Sequence, residues 1–107
     1  MSKFFIEDSD LVRVNFKGGE WADIKAEMTQ EDKDAIMNAM AKATAGTDTC
    51  LQISLGKMAL LERSVVAWSF GVPVNKENIS RLRNKYRSVL LAEIDKVNSA
   101  VDEFSKN

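Results

Sequence analysis

Residues 58–82 read Met-Ala-Leu-Leu-Glu-Arg-Ser-Val-Val-Ala-Trp-Ser-Phe-Gly-Val-Pro-Val-Asn-Lys-Glu-Asn-Ile-Ser-Arg-Leu. They hold one of the two tryptophans and the only proline, and how they are divided into elements decides the fold. Leu51, Leu55, Met58, Leu61, Val65 and Trp68 recur at helical spacing, and from Cys50 to Phe70 only Lys57, Glu62 and Arg63 are charged. So apolar a stretch predicts a central core helix buried on more than one side. Gly71 is the expected stop, Pro73 forbids continuation, and Asn75 is placed to cap a new helix from Lys76. Downstream, Ile79, Leu82, Tyr86, Leu90, Ile94, Val97, Val101 and Phe104 step mostly by three or four. That stripe predicts one long amphipathic helix from about Lys76 to Phe104, with a kink near Asn84 as the variant. Trp68 would lock the elbow between the two helices.

The chain before this stretch carries weaker signals. Val12, Val14 and Phe16 alternate with Arg13 and Asn15, the pattern of a half-buried strand. Gly18-Gly19 is a turn signal, and Glu20 to Lys25 can return as a second strand. A lone two-stranded ribbon is marginal in water, so it is expected to lie on the helices with Trp21 as its anchor. Thr29 reads as an N-cap, with Glu31, Asp32 and Asp34 complementing the helix dipole behind it. Ile36, Met37 and Met40 with four alanines give that helix a thin apolar face. Residues 45–49, Ala-Gly-Thr-Asp-Thr, are a breaker cluster.

The expected fold is mainly α, a small bundle of three to four helices with a short N-terminal β-hairpin or extended segment. The 107 residues form one domain, residues 1–28 being the extended segment and 29–107 the helical core.

Composition narrows function. A net charge of −1 gives no global bias toward nucleic acid or membrane. With no histidine and one cysteine, Cys50, these residues hold no Ser-His or Cys-His pair, no histidine metal site and no intrachain disulfide. Phe4-Phe5-Ile6 is too short for a signal-peptide core, and no run reaches the ~18 apolar residues of a membrane span. The expectation is a soluble, cytoplasmic, non-catalytic protein without a cofactor. Charge is uneven: Glu20, Asp23, Glu27, Glu31, Asp32 and Asp34 face only Lys25 and Lys33, while Lys76, Arg81, Arg83, Lys85 and Arg87 face only Glu77. The plain reading is two solvated faces. The sharper one is head-to-tail self-association, or an acidic partner for the basic half.

A helix-turn-helix reading of residues 67–87 fails on register. The buried branched residue expected about six positions after the turn glycine is Glu77, and Pro73-Val74 lengthens the turn. Nucleic acid is therefore disfavoured, and a DNA-binding regulator stands as an alternative only. Partner-binding candidates are Trp21, Met37, Met40, Trp68, Phe70, Arg81, Arg83 and Arg87: aromatic, adaptable or cationic side chains of the kinds enriched at interfaces.

One ordered pattern goes further. Gly19-Glu20-Trp21-Ala22-Asp23-Ile24-Lys25, then Met28-Thr29-Gln30-Glu31-Asp32, then Leu60-Leu61-Glu62-Arg63, Val66-Ala67-Trp68-Ser69-Phe70, Gly71-Val72-Pro73-Val74 and Asn78-Ile79-Ser80-Arg81-Leu82, resembles tail assembly chaperones of long-tailed, siphovirus-type bacteriophages. The resemblance runs from about Phe16 to Ile94. It implies a small helical protein of the host cytoplasm that binds the tape measure protein, and tail-tube subunits, during tail assembly. In that family a longer frameshifted form is often made. The chain departs from the pattern in lacking acidic residues before the Gly-x-Pro loop, and the break expected after Leu82, where Arg83-Asn84 stands. A structural virion component of the tail or connector is the other reading in this setting.

Overall fold

The computed structural model of the protein describes residues 4–41 and 49–105. Of the breaker cluster at residues 45–49, residues 45–48 lie outside the described residues and Thr49 begins α2. The elements in order are β1 (Leu11–Asn15), β2 (Trp21–Lys25), α1 (Gln30–Ala41), α2 (Thr49–Ser64), β3 (Val65–Trp68), α3 (Lys76–Ser80) and α4 (Asn84–Ser105).

The architecture is α+β, not the mainly helical bundle expected. An antiparallel sheet of order β1-β2-β3, centred on β2, takes as its third strand residues expected inside the core helix. α2 stops at Ser64, and Val65–Trp68 leaves it directly as an edge strand on β2. Two adjacent β-branched valines disfavour helix and suit a pleated surface. Pairing runs Ala22 with Trp68, Asp23 with Ala67 and Ile24 with Val65, so the register shifts at Asp23/Ile24 and Val66 is the extra residue of a bulge. Gly71 therefore ends a strand turn and not a helix; its φ of 81° supplies the left-handed conformation there.

β1 and β2 form the predicted hairpin, with Gly18 (φ 89°) and Gly19 (φ 86°) in its turn. Alternation then sorts the faces. Val14, Ala22, Ile24, Val65 and Trp68 point into one core with Met28, Leu61, Ile79, Leu90 and Ile94. Trp21, expected as the anchor on the helices, lies on the other face. There the Arg13 guanidinium stacks over its ring at 3.8 Å while making a bidentate bridge to Asp23 at 2.8 and 3.1 Å.

α1 packs along α2. Its start is a reciprocal cap: the Asp32 amide donates to Thr29 Oγ1 (3.1 Å) and the Thr29 amide donates to Asp32 Oδ2 (3.2 Å). The expected single C-terminal helix is broken. α3 is one short helix capped by Asn75, whose Oδ1 accepts from the Asn78 amide, and it is held by Ile79, 1% exposed. Arg81–Arg83 turn the chain, and α4 restarts at Asn84. The break occurs without Gly or Pro, because Arg87 Nη2 caps the loosened carbonyls of Leu82 (2.8 Å) and Ser80 (3.2 Å).

Candidate binding cleft

The sheet edge, the Gly71–Val74 loop and the α3–α4 turn enclose an open cleft of about 300 Å3. Trp68, Phe70, Val72, Leu82 and Tyr86 form its apolar lining; Glu20, Asn78, Arg81 and Arg83 are its polar members.

Each wall is fixed by its own local chemistry. Trp68 ends β3 with its ring inward and its Nε1 donating to the Val72 carbonyl at 2.6 Å, which ties the loop back across the strand end. The loop's other end is held by Asn78 Nδ2, donating to the Pro73 carbonyl at 2.8 Å. Phe70 lies between Trp68 (centroids 5.2 Å) and Tyr86 (5.9 Å), and Phe16 from the end of β1 meets Tyr86 edge-on at 5.2 Å. Aromatic pairs at these separations stabilise beyond the area they bury, and this packing holds the floor together. On the sheet side, Ser69 Oγ donates to Glu20 and accepts from the Trp21 amide at 2.8 Å, so the Glu20 carboxylate is engaged within the chain.

Of the residues singled out from sequence, four come together here: Trp68, Phe70, Arg81 and Arg83. The other four do not. Trp21 is on the far face of the sheet under Arg13. Met37, 64% exposed, lies on α1 beside a separate groove with Met28, Ile36 and Leu60. Met40 packs against α2 so closely that a Cβ on Gly56 would sit 2.9 Å from its Cγ. Arg87 is the clamp of the α3–α4 turn and positions the cleft without lining it. Sequence reasoning missed Glu20, Val72, Asn78, Leu82 and Tyr86 as cleft residues. Leu82 and Tyr86 belong to the apolar stripe of the expected long C-terminal helix, and the break before Asn84 turns them toward an opening.

The charged clusters elsewhere are structural. Asp32, 2% exposed, accepts from Lys25 Nζ (2.8 Å) and Arg63 Nε (2.9 Å) as well as Thr29. Burial pushes its carboxyl pKa up, but the bonds from Lys25 and Thr29 outweigh burial and hold it below the ordinary aspartate value. Asp23 is likewise held low by Arg13. Among the described residues no three His, Cys, Asp or Glu side chains form a group that could hold a metal ion, and no helix is long and apolar enough to cross a membrane.

Chemically the cleft offers aromatic walls for apolar side chains and two guanidinium groups at its margin, the composition of a recognition surface. Comparison of the chain with protein-family models, with curated proteins and with solved structures found no match.

Proposed function

We propose that the protein is a non-catalytic binding module that acts as a tail assembly chaperone of the siphovirus type, holding segments of the tape measure protein in the host cytoplasm until tail-tube subunits enclose them. The observation that carries this reading is the preformed aromatic cleft at the β3–α3 elbow. It is open, apolar and braced from both ends by Trp68 and Asn78, so a partner side chain can enter without the protein paying to reorganise. The ordered sequence pattern from Gly19 to Leu82 supplies the family setting.

The test is co-expression with fragments of the tape measure protein. The chain raises the soluble fraction of at least one fragment, and Val72→Arg abolishes the effect. Val72 is half exposed on the cleft margin, so the substitution fills the opening without touching the core, and the stability change stays within about 0.5 kcal/mol. Unchanged solubility across a set of fragments spanning that protein contradicts the proposal.

A further inference from the structure

The margin of the cleft is electrostatically unbalanced. Among the described residues neither Arg81 nor Arg83 has an ion-pair partner, whereas Arg13 and Arg63 are both paired. The one carboxylate in the lining, Glu20, is engaged by Ser69. Lys85 adds a third positive charge next to them, its Nζ 5.0 Å from the centroid of the Tyr86 ring. The turn that carries both arginines is held in place from within. Arg81 and Leu82 donate their amides back to Asn78 and Ile79, the Arg83 carbonyl accepts from the Tyr86 and Arg87 amides, and Arg87 bridges the Ser80 and Leu82 carbonyls. Two exposed guanidinium groups, unpaired among the described residues and carried on a braced turn beside an apolar opening, match carboxylates presented next to an apolar side chain.

We propose that the cleft selects acidic segments of a partner protein: one large apolar side chain seats among Trp68, Phe70 and Tyr86, while neighbouring carboxylates bind Arg81 and Arg83. This rests on the reading of the cleft as a protein-binding site, and adds the chemistry of what it takes. The buried aromatic contact supplies most of the affinity, and the arginines supply discrimination and a salt-dependent association rate.

The experiment uses the full chain carrying Trp21→Phe, so that Trp68 is its single tryptophan reporter. Three synthetic peptides share one Leu anchor and differ only in having Glu, Gln or Lys on either side. The Glu peptide is expected to change Trp68 emission with an affinity roughly tenfold above the Gln peptide, falling as salt rises, and the Lys peptide is weaker still. Arg81→Glu/Arg83→Glu inverts the order, and that gain of Lys-peptide binding shows the variant is folded. Equal binding of all three peptides overturns carboxylate selection while leaving a protein-binding cleft intact. If no peptide binds but a tape measure fragment is still solubilised, only this inference falls; if neither is seen, both fall. Self-association that disappears in Arg81→Glu/Arg83→Glu, with no peptide bound, would give the cleft to a second copy and overturns the inference as well.

Discussion

Asp32 is the residue on which the N-terminal half of the molecule converges. It caps α1 through Thr29, ties that helix to β2 through Lys25 and to α2 through Arg63, and is nearly inaccessible to water. Removing one member of a buried, hydrogen-bonded charge cluster leaves the others uncompensated. Lys25 and Arg63 are each about a third exposed and can turn to solvent, which moderates the cost. Asp32→Ala is therefore expected to destabilise by about 2–4 kcal/mol, and Asp32→Asn, which keeps a capping acceptor, by less; urea unfolding measures both. The pH dependence has a definite sign. Folding lowers the carboxyl's pKa below its ordinary 3.8, so the unfolded chain binds the proton first as pH falls. The stabilisation is complete above that ordinary value and is lost as pH drops through the lowered folded value. Asp32→Asn should flatten stability against pH over that acid range, and a variant that retains the full wild-type slope would contradict the assignment. In sequence Asp32 is one of six acids between Glu20 and Asp34, and charge alone does not distinguish the buried one. The only local signal is its position three residues after Thr29, where a capping partner belongs.

At the scale of elements, the instructive failure is β3. The hairpin was legible because Val12, Val14 and Phe16 alternate cleanly up to Gly18-Gly19, and the starts of α1 and α3 because Thr29 and Asn75 are strong caps. Residues 65–68 carry no breaker at their start, and the bulge at Val66 disrupts the alternation that identifies a strand, so Val65 and Trp68 also fit the helical series of α2. The cue that decides the matter is the pair of adjacent valines. The same period-2 logic that placed Ala22 and Ile24 inward also placed Trp21 outward with Asp23, against the expectation drawn from its size. The break at Arg81–Arg83 was illegible for a different reason: it is made by a side chain, Arg87, reaching back to carbonyls of Ser80 and Leu82. Arg87→Leu should lower stability by about 1–3 kcal/mol by leaving those carbonyls unsatisfied, and weaken cleft binding in parallel, whereas Arg87→Lys restores only part of both. Between α1 and α2, Gly56 and Met40 are coupled. Alanine in a helix interior is worth about 1 kcal/mol over glycine, but its Cβ would meet Met40 Cγ at 2.9 Å, and overpacking of that kind costs about 1–3 kcal/mol. Gly56→Ala is thus net destabilising in the wild type and stabilising, by up to about 1 kcal/mol, once Met40→Ala clears the space; a double-mutant cycle reads the coupling.

At the scale of the molecule, the protein is a two-layer α+β unit with its helices on one face of a three-stranded sheet. Putting β3 at an edge and breaking the last helix brings the two ends of the Gly71–Pro73 elbow to the surface. That placement makes a cleft out of residues a continuous bundle would have buried. Four of the nine lining residues were visible in sequence as residue types, Trp68, Phe70, Arg81 and Arg83. The other five depended on tertiary geometry, which brings Glu20 and Tyr86, far apart in the chain, to one opening. The two tryptophans now report on two separate surfaces, Trp68 in the cleft and Trp21 on the opposite face of the sheet. Their indole N–H groups give two signals in a proton–nitrogen NMR spectrum, and titration with a fragment of the proposed partner, the tape measure protein, compares the surfaces in one measurement. Binding in the cleft is expected to shift the Trp68 indole and the amides of Phe70 and Arg81–Tyr86 while the Trp21 indole stays in place. A shift of Trp21 with Trp68 unmoved would contradict the cleft as the binding site.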